Sequence, residues 1–109
     1  MIKITILKGS GDKYKGFSVL GHAGYDVYGK DIICASVSVL TVNTINAIET
    51  FTDDGFKVEQ DETLGSLKFK FQDTVSEESK LLIDTMVLGL RSIEEGYGSK
   101  YIKVLFKEV

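Results

Sequence analysis

The sequence predicts an α+β sandwich, a mixed or mostly antiparallel sheet covered by two helices, in the element order ββαββαβ. Three observations lead there. Apolar and polar residues alternate with a period of two at both ends of the chain and in a central hairpin. Two longer stretches carry apolar residues at helical spacing instead. The 109 residues are enough for one core and too few for separate binding and catalytic domains, so residues 1–109 read as one domain.

Residues Ile2 to Leu7 place Ile2, Ile4 and Ile6 on one face, and GSGDKYKG after them reads as a turn into a second strand near Gly16 to Gly21. Phe56 to Gln60 and Ser66 to Phe71 form a second hairpin around the turn Asp61 to Gly65, with Leu67, Phe69 and Phe71 alternating against Lys68 and Lys70. Between the hairpins, Ile32 to Phe51 runs for 20 residues without Gly or Pro. Ile33, Val37, Leu40, Thr44 and Ile48 fall on one helical face, although Ile33, Ala35, Val37 and Val39 also alternate like a strand. Length decides for a helix, because strands rarely exceed about ten residues.

In the second helix, Thr74 and Glu77 have capping-box spacing, and Glu77 and Glu78 suit the positive end of the helix dipole. Its stripe is Leu82, Met86, Leu90 and Ile93, and it stops around Gly96 to Gly98. Tyr101 to Lys107 closes the chain as a strand with Ile102, Val104 and Phe106 inward and lysines outward.

Thirteen basic residues against 16 acidic ones give a net charge of −3, with no basic run. That balance argues against direct nucleic-acid binding, which needs a positive surface. The opening MIKITILKGSG is too short an apolar run for a signal peptide, and no later stretch lacks polar residues for the length of a membrane span. The expectation is a cytoplasmic protein with no membrane partner. One cysteine cannot form an internal disulfide, and one Cys with one His cannot fill a four-ligand zinc site, so neither a metal nor an organic cofactor is expected.

That cysteine, Cys34, and that histidine, His22, lie 12 residues apart in GHAGYDVYGKDIICAS. Singly, each has an ordinary reading, the thiol as a small buried hydrophobe and the imidazole as a satisfied polar group. Together, at a strand exit and a helix start, they suggest a thiol nucleophile with a histidine base. Asp31 is a good N-cap, which makes Cys34 the third helical residue, beside backbone N–H groups expected to be free to stabilise a thiolate and a developing oxyanion. Ser38 lies one turn beyond Cys34 on the same face, and Ser36 is close by. The loop from Ala23 to Asp31 sets Gly24 and Gly29 around Tyr25, Asp26 and Tyr28, a composition that suits a lid over an extended peptide or, equally, a connection whose tyrosines pack on the core's edge. Asp26 and Asp31 are the nearest carboxylates that could orient His22, and the sequence does not choose between them.

Gly24, four residues, then Gly29 and Lys30 imitates a phosphate-binding P-loop. Asp31 stands where a magnesium-ligating Ser or Thr is required, and the alternating βαβ units of that fold are absent.

GHAGYDVYGKDIICASVSVL resembles the signature of the ribosomal-processing cysteine protease family, Prp, through its Gly-His-Ala-Gly run and the Cys-Ala-x-Val run that follows Asp and two apolar residues. The ββαββαβ order fits that family over the whole chain. The resemblance implies a small endopeptidase that removes the N-terminal extension of a bacterial large-subunit ribosomal protein. It implies His22 as general base, Cys34 as nucleophile and Gly21 as a hinge for the mobile loop, with Asp31 and Ser38 as family-like neighbours. Family substrates carry aromatic residues just before the cleaved bond, which implies Tyr25 and Tyr28 as part of an apolar subsite. A homodimer is implied too, and an exposed hairpin edge supplies a physical reason for it. Two other classes remain open at this point: a non-catalytic module that binds a ribosomal protein or assembly factor, and a thiol redox sensor.

Overall fold

The computed structural model describes residues 1–27 and 31–109. Its elements are β1 (Ile2–Lys8), β2 (Tyr14–Leu20), α1 (Ile32–Phe51), β3 (Phe56–Asp61), β4 (Ser66–Phe71), α2 (Glu77–Tyr97) and β5 (Ile102–Glu108), with a single 3-10 turn at Ser10–Asp12. The strands form one sheet in the order β3-β4-β2-β1-β5. β1 pairs antiparallel with β2 and parallel with β5, so the sheet is mixed and the expected α+β class and element order hold.

Alternation decides which face is buried. Ile2, Ile4 and Ile6 of β1, Phe17 of β2, Leu67, Phe69 and Phe71 of β4, and Ile102 and Val104 of β5 point into one core with Ile33, Val37, Ile45 and Ile48 of α1 and Ile83, Met86, Val87 and Leu90 of α2. Both helices therefore lie on the same side of the sheet, and the other side is open. At the centre, the Phe17 and Phe69 rings stack at 5.1 Å, with Phe71 edge-on to Phe69 at 4.8 Å.

Four boundaries differ from expectation, each for a local reason. β2 starts at Tyr14 rather than near Gly16, because the β1–β2 register shifts between Leu7 and Lys8. That bulge lets Tyr14 and Phe17 both be buried although three residues apart, which breaks the alternation a sequence reader follows. α2 is capped by Ser76, not Thr74: the Ser76 side chain accepts from the Ser79 N–H at 3.2 Å. Asp54, just before β3, accepts from the Ser76 N–H at 3.0 Å and from its hydroxyl at 2.6 Å, so a distant loop selects the cap. β5 runs one residue further than expected, and its Phe106 is 41% exposed, lying under Lys8 and Arg91 rather than in the core.

α1 has the expected bounds despite its β-prone composition. Its hydroxyls bond back within the helix, Ser36 to the Ile32 carbonyl at 2.6 Å, Thr41 to Val37 at 2.8 Å and Thr44 to Leu40 at 2.6 Å, so none is left unsatisfied against the core. By length and composition α1 is apolar enough to cross a bilayer. Its most apolar stripe, Ile33, Val37, Ile45 and Ile48, is packed into the core, as in the central helix of a globular domain.

Candidate active site

β2 ends at Leu20, and the chain then turns sharply at Gly21, whose φ of +96° is a conformation that favours glycine. A side chain there would also meet the Met1 carbonyl oxygen at 2.6 Å. The Gly21 N–H donates to the Gly65 carbonyl at 2.9 Å, fixing the strand exit to the β3–β4 turn. His22 follows, exposed, its ring lying against Gly65: a Cβ added to Gly65 would come within 2.9 Å of Nε2 and 3.0 Å of Cε1. Gly65 itself has a φ of +62°, so it is suited both to the turn and to the imidazole beside it. The sequence marks Gly65 as a turn residue, with nothing to tie it to His22.

The next residue reaches the thiol. The Ala23 N–H donates to Cys34 Sγ at 3.3 Å, and Ala23 is itself buried. His22, Cys34 and Ser38 together line two adjoining depressions. One has an apolar wall of Ile2, Val19, Val37 and Leu67. The other is bordered by Gly24, Asp26, Asp31, Glu62 and Thr63. Sequence reasoning brought His22, Cys34 and Ser38 to this place, and it missed the turn residues Glu62 to Gly65 that form the facing wall. Ser36 bonds into its own helix and lines neither depression.

Asp31 is the hub of the site and is 8% exposed. Its Oδ1 accepts from the Ile33 and Cys34 N–H groups, each at 3.0 Å, and its Oδ2 accepts from the Tyr25 N–H at 3.0 Å and the Asp26 N–H at 3.5 Å. Burial raises the pKa of this carboxyl, but the donated N–H bonds from Cys34, Tyr25 and Asp26 outweigh it and hold the group below the usual carboxylate range. One carboxylate thus caps α1 and pins the loop.

That arrangement corrects the expectation of free donors beside the thiol. The Ile33 and Cys34 N–H groups are taken by Asp31, and the Ala35 N–H by the Asp31 carbonyl at 3.1 Å. The thiol is correspondingly not activated at rest. Burial pushes the Cys34 pKa above its ordinary value, the Ala23 N–H opposes this, and the negative charge of Asp31 adds to the rise.

Tyr25 departs from the expected subsite. Its ring packs edge-on against Tyr97 at 5.5 Å and Tyr101 at 5.2 Å, at the end of α2 and the start of β5, and it lines neither depression. Tyr28 lies outside the described residues, as do Gly29 and Lys30 of the P-loop imitation. The strand before α1 is antiparallel to β1 and to β4, which is not the parallel context a P-loop requires.

Residues 1–103 match the family model described as cysteine protease Prp. This chain belongs to the cysteine protease Prp family. A ribosomal processing cysteine protease Prp of Staphylococcus aureus is 32% identical over 97 residues, covering 89% of this chain and 92% of that one. The Prp of Bacillus subtilis is 28% identical over 101 residues, covering 89% and 90%. Among solved structures, the S. aureus Prp in complex with a covalently linked product peptide superposes with a TM-score of 0.92 at 31% identity, over 98% of this chain and all of that one. The same enzyme with a substrate peptide gives 0.87 at 30% identity. The Prp fold and the cysteine protease class therefore apply to the whole of this domain, including the segment that carries His22 and Cys34.

Proposed function

We propose that this protein is the cytoplasmic endopeptidase that removes the N-terminal extension of a large-subunit ribosomal protein, with Cys34 as nucleophile and His22 as general base. The observation that carries the reading is the convergence of the His22–Ala23 segment on Cys34: the Ala23 N–H lies on the sulfur while the imidazole of the preceding residue borders the same cleft. The relatives' names supply the substrate class, since the S. aureus and B. subtilis proteins are ribosomal processing proteases.

The mechanism starts from a neutral thiol, because burial and Asp31 both favour the protonated form. An extended peptide enters the cleft along α1, His22 takes the Cys34 proton, and the sulfur attacks the scissile carbonyl. The C–N bond breaks as the imidazolium returns its proton to the leaving amine, and a water deprotonated by His22 then cleaves the thioester to release the extension. Asp31 acts as a positioning residue that sets the start of α1, and Ser38 borders the peptide's path. Gly21 serves as the pivot of the strand exit. Tyr25 acts by anchoring the loop onto Tyr97 and Tyr101 rather than by touching substrate.

We also propose a homodimer, supported by outward apolar side chains on the helical layer, Val39 at 67% and Leu88 at 70% exposed, and by the unpaired edge of β3. Sedimentation at micromolar concentration is expected to give a species of twice the 12.0 kDa chain, and a lone monomer would refute the dimer. The decisive test is mass spectrometry of the extended ribosomal protein incubated with wild type, Cys34→Ala and His22→Ala. Wild type alone should remove the extension, with Cys34→Ala slowed at least about 10³-fold. Cleavage that survives Cys34→Ala, or binding without cleavage by any of the three, would overturn the assignment in favour of a non-catalytic module.

A further inference from the structure

The side of the sheet not covered by helices carries a charge opposite to that of the chain. Strand registers place its residues in three rows across β3-β4-β2-β1-β5: Lys57, Lys70, Gly16, Leu7, Lys107; then Glu59, Lys68, Ser18, Thr5, Leu105; then Asp61, Ser66, Leu20, Lys3, Lys103. Six lysines stand there against two carboxylates, a net of +4 on a chain whose total is −3. All six are exposed, and none joins an ion pair among the described residues. Lys57, Lys68 and Lys70 border a shallow depression at one end, completed by Glu59, Phe71 and Gln72.

Sheet stability does not account for this pattern. Lys57 and Lys70 face each other directly across β3 and β4, and Lys3 and Lys103 are register partners across β1 and β5. Like charges in such pairs are destabilising. Lysines do protect sheet edges, but Lys68 and Lys70 are on β4 and Lys3 is on β1, both interior strands. The lysines form two tracks, on β3–β4 and on β1–β5, separated by the uncharged β2, with about 10 Å from β4 to β1. A partner with regularly spaced negative charges removes the repulsion within both tracks at once.

We infer that the open face of the sheet is a docking surface for the phosphate backbone of RNA. Phosphate contacts need exposed lysines and no base-reading groups, which matches a face whose remaining side chains are small, hydroxyl or aliphatic. The choice of RNA among polyanions rests on the ribosomal-protein-processing reading, since a substrate of that kind assembles with RNA. The surface lies on the opposite side of the sheet from α1, so RNA and the extension peptide can be held together.

Fluorescence anisotropy of the full chain with a labelled 20-base-pair RNA duplex tests the inference, across salt from 50 to 200 mM. If all six lysines meet phosphates, log affinity should fall against log salt with a slope of about 4 to 5, and each triple variant, Lys57→Gln/Lys68→Gln/Lys70→Gln or Lys3→Gln/Lys103→Gln/Lys107→Gln, should lower that slope by about 2. Lys80→Gln, on α2, should bind like wild type. No binding at 50 mM salt, unchanged affinity and slope in both triple variants, or preference for phosphatidylserine vesicles or a poly-glutamate peptide over RNA would overturn it. Both triple variants should keep wild-type cleavage of a short extension peptide, which shows they are folded. RNA binding is read without any cleavage, so a wild-type chain that binds RNA but cuts nothing refutes the protease substrate and not the surface.

Discussion

Replacing Asp31 separates two tasks that one carboxylate performs. Asp31→Ala removes the acceptor for the Ile33, Cys34, Tyr25 and Asp26 N–H groups. A lost N-cap costs about 1–2 kcal/mol, and a lost bond to a charged acceptor about 1.5–3, with neighbouring losses not additive, so we expect about 3 kcal/mol in all. Asp31→Asn keeps one acceptor oxygen for the cap and presents an NH₂ to the loop, which should cost about half as much. An unfolding entropy near 2.1 cal/mol/K per residue over 109 residues makes each kcal/mol worth about 4 °C, so Tm should drop by about 13 °C for Ala and 6 °C for Asn. The native carboxyl titrates below its ordinary value, so its contribution is complete above the unfolded value of about 4 and is lost as pH falls through the lower native value. The gap between wild type and Asn, measured by urea unfolding, should therefore be constant from pH 5 to 8 and close below pH 4. Both variants also remove the negative charge that raises the Cys34 pKa, so the thiol should become more acidic and alkylate faster with iodoacetamide at pH 7. A loss under 0.5 kcal/mol for Ala, or a thiol that titrates unchanged or higher in Asn, would show that Asp31 is not the hub described.

Gly65→Ala is expected to lower kcat about 10- to 100-fold with KM little changed, because the new Cβ would lie 2.9 Å from His22 Nε2; wild-type turnover would mean the ring has another rest position. Asp54 accepts from Ser76 and also from the Ser79 hydroxyl, and although burial raises its pKa, these bonds hold it below the carboxylate range. Asp54→Ala should cost about 2–3 kcal/mol, Ser76→Ala about 1, and the double variant clearly less than their sum; additive losses in urea unfolding would deny the shared network. Phe69→Ala, at the centre of the aromatic stack, should cost about 3–5 kcal/mol, and a loss below 1 would mean the core closes over the gap.

By itself the sequence determined what depends on neighbours along the chain. The bounds of α1, the two hairpins, the capping role of Asp31 and the placing of His22 at a strand exit and Cys34 in a first helical turn all follow from spacing and local chemistry over a few residues. Only the tertiary structure decided what depends on which strands and turns meet. Ser76 displaces Thr74 as the α2 cap because Asp54, 22 residues earlier, bonds to it. Tyr25 turns away from the cleft because Tyr97 and Tyr101 offer it a closer apolar contact. Gly65 meets His22 because β2 pairs with β4 in a register that brings Gly21 to Gly65. The lysines of the open face show the same limit. Spaced two apart in separate strands, they form no basic run, and it is the pleat of the sheet together with the pairing register that gathers them on one side.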